Sequence, residues 1–67
     1  MITFKSGGKE VVLALCYDKG EGMYRLVNIG DRSIAVQQYE TPDDAVSHLK
    51  KLEETGKIYK LEIYDEL

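Results

Sequence analysis

Thr41-Pro42-Asp43-Asp44-Ala45-Val46-Ser47-His48-Leu49-Lys50-Lys51-Leu52-Glu53-Glu54-Thr55-Gly56 decides how this chain folds. Threonine at an N-cap accepts from the free amides of the first turn. Proline at the first helical position has no amide to leave unsatisfied, and two carboxylates face the positive end of the helix dipole. At about 100° per residue, Ala45, Val46, Leu49 and Leu52 fall within an arc of roughly 120°, while Ser47, Lys50, Lys51 and Glu54 point away. Gly56 supplies a left-handed stop, with Lys50, Lys51 and Lys57 near the negative end of the dipole. The chain therefore holds one helix with one packing side. Glu53 is the anomaly, a carboxylate inside the apolar arc.

Upstream of this helix, glycines divide the chain into four strands. Residues 2–5 form a short first strand, and Ser6-Gly7-Gly8-Lys9 reverses it, because two adjacent glycines take the positive φ values of a tight hairpin. Val11-Val12-Leu13-Ala14-Leu15-Cys16-Tyr17 has no polar residue on either face. That pattern places it near the sheet centre with both faces at least partly covered. Asp18-Lys19-Gly20-Glu21-Gly22 turns into residues 23–29, where Tyr24, Leu26 and Asn28 alternate with Met23, Arg25, Val27 and Ile29. Gly30-Asp31-Arg32 leads into residues 33–39, with Ile34 and Val36 on one face and the more polar set Ala35, Gln37 and Tyr39 on the other.

Downstream, Ile58-Tyr59-Lys60-Leu61-Glu62-Ile63-Tyr64 alternates again, grouping Tyr59, Leu61 and Ile63 against Ile58, Lys60, Glu62 and Tyr64. Short loops favour an antiparallel meander of four strands, and a helix running back along it returns the fifth strand beside the first. The expected fold is α+β: β-β-β-β-α-β, strand order 5-1-2-3-4, with the helix on one face and the other face partly exposed.

A chain of 67 residues, 43% apolar and 31% charged, makes one domain, residues 1–67. At this size folding buries only about 60% of the surface of the unfolded chain, so stability is marginal and self-association is one way to add to it. One cysteine, Cys16, allows no internal disulfide and points to a reducing, cytoplasmic setting. The N-terminus lacks the basic and apolar segments of a signal peptide, and no apolar run approaches the roughly 20 residues that span a bilayer. The net charge of -3 is concentrated in the C-terminal half, where residues 40–67 carry four basic and eight acidic groups. This balance works against attraction to nucleic acid.

Chemistry-bearing constellations are missing. Cys16 has apolar neighbours and is expected to sit in the core or on a sheet face as a small hydrophobe, silent as a nucleophile. His48 stands four residues after Asp44, a spacing that gives an ion pair on the helix flank, and no serine or second cysteine completes a triad. One histidine and one nearby carboxylate fall short of the roughly three or four ligands zinc requires. The glycines match no phosphate loop, and the acidic residues Glu40, Asp43, Asp44, Glu53, Glu54, Glu62, Asp65 and Glu66 match no calcium loop. No cofactor and no metal are expected, and no membrane partner.

The functional expectation is a small non-enzymatic protein-binding or regulatory module. It would act through an exposed sheet face or edge toward another protein or a second copy of itself. The helix is too short to cover five strands, and five tyrosines in so short a chain are the residues that favour interfaces. The candidate contact residues are Tyr24, Tyr39 and Tyr64, with Asp43, Asp44, Glu53 and Glu54 as an acidic surface. Two alternatives are a single-stranded nucleic-acid binder stacking bases on strand tyrosines, and an acidic inhibitor of a nucleic-acid-binding protein.

Overall fold

The computed structural model describes residues 1–64, so Asp65 and Glu66 of the acidic set lie outside the described residues. The elements are β1 (Ile2–Ser6), β2 (Lys9–Asp18), β3 (Met23–Asn28), β4 (Ile34–Tyr39), α1 (Pro42–Glu54) and β5 (Tyr59–Ile63). The five strands form one antiparallel sheet in the order β4-β3-β2-β1-β5, as the loop lengths imply, with β2 at its centre. Gly7 and Gly8 have φ of 57° and 79° between the paired residues Ser6 and Lys9. Positive φ at both positions is the two-residue hairpin that matches the twist of its strands.

Helix α1 begins as its sequence dictates. The Thr41 Oγ1 accepts from the Asp44 amide at 3.1 Å, Pro42 opens the first turn, and Gly56 follows the helix at φ 78°. Thirteen residues give a rod about 20 Å long, enough to lie across one face of the sheet and no more. Ala45 and Leu49 are buried beneath it against Ile2, Leu13, Leu26, Tyr39 and Ile58. Phe4, Val11, Leu15, Tyr24, Leu52 and Leu61 close the margins of this core.

The strand faces show which side of the sheet the helix covers. The helix covers one side of β2, where Leu13 is buried; on the other side Val12 and Ala14 are half-buried by their strand neighbours and Cys16 is exposed. On β4 the helix packs over the polar side, burying Tyr39, while Ile34 and Val36 stay in solvent. The inner face is set by Leu13 and Leu26 in the central strands. Tyr39, opposite Tyr24 in the ladder, must follow them whatever the polarity of its own strand.

One expectation is corrected, and it concerns β5. Simple alternation puts Ile58 and Leu61 on opposite faces, yet Ile58 is buried and Leu61 packs against the same core. A β-bulge makes this possible: the register with β1 shifts between Thr3 and Lys5, and Lys60 takes a left-handed φ of 56°. One extra residue reverses the alternation on either side of it. Glu53 is explained by the same bulge, since its Oε2 accepts from the Leu61 amide at 3.0 Å. The carboxylate in the apolar arc thus anchors β5 to the end of the helix.

Lys60 adopts a conformation that costs an L-residue about 1 kcal/mol or more. Lys60→Gly is expected to raise the melting temperature by a few degrees, on a scale of about 4–8 °C per kcal/mol for a domain of this size, and Lys60→Val to lower it. Removal of the Leu61 acceptor in Glu53→Ala is expected to cost about 0.5–1.5 kcal/mol, with Glu53→Gln retaining most of the stability. Thermal unfolding followed by circular dichroism reads all three.

Candidate functional site: the uncovered sheet face and the β4 edge

Residues directly opposite in an antiparallel ladder share a face. Opposite the helix this rule gathers Thr3 with Val12, Ala14 with Val27 and Ile34, and Cys16 with Arg25 and Gln38. The centre of this outer face is apolar, and no part of the described chain lies over it. Near one end Cys16, Asp18, Arg25, Val27 and Ile34 line a shallow depression of about 520 Å³. Its two charges are committed locally. Arg25 Nε donates to Asp18 Oδ2 at 3.2 Å, and Asp18 Oδ1 accepts from the amides of Gly20 and Glu21, so this pair holds the β2–β3 turn.

The outer face runs without interruption into the free edge of β4. Ile34 is 58% exposed and Val36 94% exposed, with Ala35 and Gln37 exposed between and beside them. The register jumps from Arg25 opposite Gln38 to Val27 opposite Ile34, so Ala35, Val36 and Gln37 stand against the single residue Leu26. This bulge thrusts Val36 outward. The strand and its place at one edge of the sheet were both legible in the sequence; the bulge and the exposure of Val36 were not.

The tyrosines fall into two groups. Tyr17, Tyr24 and Tyr39 form one cross-strand row on the helix side, with the first two rings 5.1 Å apart and tilted by 59°. Tyr24 is half-buried against the core. Tyr39 is 6% exposed, and its hydroxyl lies 2.6 Å from His48 Nδ1. Burial removes Tyr39 from any contact surface, and it takes His48 as its partner in place of the Asp44 pairing expected from spacing. Tyr64 is exposed beyond β5, where its hydroxyl donates to Glu62 Oε2 at 3.2 Å.

The acidic candidates are likewise dispersed. Asp43 and Asp44 are exposed in the first helical turn, while Glu53 and Glu54 stand at the other end, about 15 Å along the axis. Glu53 is engaged with β5. Of the two places expected for Cys16, core or sheet face, the structure gives the second: it is a free and exposed thiol on the outer face. Its exposure follows from the missing second layer. Among the described residues no group of three or more His, Cys, Asp or Glu is placed to hold a metal ion, and no helix is long and apolar enough to cross a membrane.

A second concavity, of about 680 Å³, lies where the helix start meets the beginning of β1, the middle of β2 and the end of β5, with Ile2, Leu15, Pro42, Val46 and Ile63 among its lining. Comparison with known proteins yields no match, whether to a family model, a curated protein or a solved structure.

Burial of the Tyr39 hydroxyl raises its pKa above the ordinary tyrosine value of 10.0. The folded chain therefore holds that proton more tightly than the unfolded chain does. Its stabilising contribution is complete below the ordinary value and is lost as pH rises through the folded value. Urea midpoints are expected to fall as pH climbs above about 10, and to fall less steeply in Tyr39→Phe, which has no proton there to lose.

Proposed function

We propose that this chain is a small non-enzymatic protein-interaction module that engages its partner through the β4 edge and the adjoining outer face of the sheet. The observation that carries this reading is the exposure of Val36 and Ile34, 94% and 58%, on a strand at the border of an apolar, uncovered face. An exposed strand edge offers a row of main-chain donors and acceptors to an incoming strand, and outward apolar side chains give the contact its affinity.

The dispositions of the reactive side chains support a binding role. Cys16 lies on the outer face and His48 on the helix covering the inner one, so the sheet stands between thiol and imidazole. His48 Nδ1 is already engaged by Tyr39. A free exposed thiol fits a reducing, cytoplasmic setting. Placement also weighs against stacking of single-stranded bases, because Tyr24 and Tyr39 belong to the core and Arg25 is tied to Asp18. An acidic inhibitor is weakened by the separation of Asp43 and Asp44 from Glu53 and Glu54.

Ile34→Lys combined with Val36→Lys alters only exposed side chains, and its circular dichroism is expected to match that of the unaltered chain. In affinity capture from the native extract, a partner held by the unaltered chain is expected to drop at least about tenfold with the double variant, since two lysines on an edge block strand addition. The same partner is expected to persist with Lys50→Ala on the far side of the helix. An identical set of partners for the double variant and the unaltered chain contradicts the proposal.

A further inference from the structure

We infer that the occupant of the β4 edge is a second copy of this chain, paired antiparallel about a two-fold axis at Val36 so that two five-stranded sheets become one continuous sheet. The inference rests on the protein-interaction reading above and names its partner.

The strand itself is the first ground. Ile34-Ala35-Val36-Gln37-Gln38-Tyr39 contains no charge and no proline. Edge strands are ordinarily guarded by lysine, proline or inward charges against pairing of this kind. The opposite edge has such guards: β5 carries Lys60 and Glu62, and its bulge puts Lys60 in a left-handed conformation. Strand β4 has a bulge as well, at residues 35–37, but no charge within it, so it is the less guarded of the two edges.

Charge complementarity is the second ground, and it favours the antiparallel orientation. Arg32 and Glu40 flank the neutral strand, each four residues from Val36. Both lie just outside β4, Arg32 before it at a left-handed φ of 62° and Glu40 in the bend that follows, so an antiparallel pair centred near Val36 brings the Arg32 end of each copy toward the Glu40 end of the other, twice by symmetry. Among the described residues neither side chain makes an ion pair within its own chain. Asp31, the acidic neighbour of Arg32, is turned back to accept from the Ser33 amide at 2.9 Å.

The same register stacks Val36 on its symmetry mate, with Ile34 diagonal to it, and covers the most exposed apolar side chain of the domain. Each copy presents the same patch, the self-complementary arrangement of a two-fold dimer. Because the axis stands perpendicular to the sheet, both helices lie on one side and the two outer faces join on the other. An edge contact alone buries less than the roughly 1,000 Å² of a tight interface, so the dimer exchanges with monomer and forms as concentration rises.

The test is sedimentation equilibrium at low salt, from micromolar to about 1 mM, on the unaltered chain and four variants. The unaltered chain is expected to approach twice its monomer mass. Arg32→Glu and Glu40→Arg are each expected to weaken dimerisation by about tenfold through like-charge contacts, and the double exchange to restore it to within a few-fold. Val36→Lys, at a fully solvated position, is expected to leave a folded monomer. A monomer at every concentration overturns self-pairing while leaving the capture assay above to judge protein binding separately. A dimer indifferent to Val36→Lys, or one that the double exchange fails to restore, overturns the β4 register.

Discussion

One helix must stabilise five strands, and everything else in this fold follows from that constraint. Ala45 and Leu49 sit at the centre of a single core made with Ile2, Leu13, Leu26, Tyr39 and Ile58. No second layer exists among the described residues. A chain of this length has too little apolar surface to build two cores. The face under the helix is thus closed, and the face away from it keeps Val27, Cys16 and Ile34 at or near the solvent.

The ends of the helix extend its reach. At the start, Thr41 holds the first turn, and Tyr39 meets His48 across the strand-to-helix turn at 2.6 Å. At the finish, Glu53 reaches the Leu61 amide, where the bulge at Lys60 lets both Ile58 and Leu61 face inward. These contacts bind the two strands flanking the helix in sequence, β4 and β5, which are also the two edges of the sheet. Yet the edges end up unlike. Both carry a bulge, but Lys60 and Glu62 add charge to β5, whereas β4 is neutral and presents an exposed valine.

Much of this was legible in residue patterns with a local physical cause. The cap at Thr41 and Pro42, the paired glycines at 7 and 8, and the stop at Gly56 require only neighbours in sequence, and the strand order follows from short loops. What escaped were features set by distant residues. The bulge at Lys60 has no local signature, since a lysine at positive φ looks like any other lysine. It hid both the burial of Ile58 and the purpose of Glu53. The fate of Tyr39 was hidden for a related reason: its face is chosen by Leu13 and Leu26 in other strands. An alternating strand does not announce which of its faces the helix will cover, so the tyrosines were named as contact residues where the structure exposes Ile34 and Val36.

The central claim is that β4 is an open edge that becomes paired when copies meet. Residue-resolved amide hydrogen exchange across a concentration series measures this most directly, because it reports each edge separately within one sample. Slowing of exchange with concentration is predicted along residues 34–39, with residues 59–63 unchanged. Exchange in β4 that is independent of concentration, or slowing that appears at β5 instead, would contradict the account.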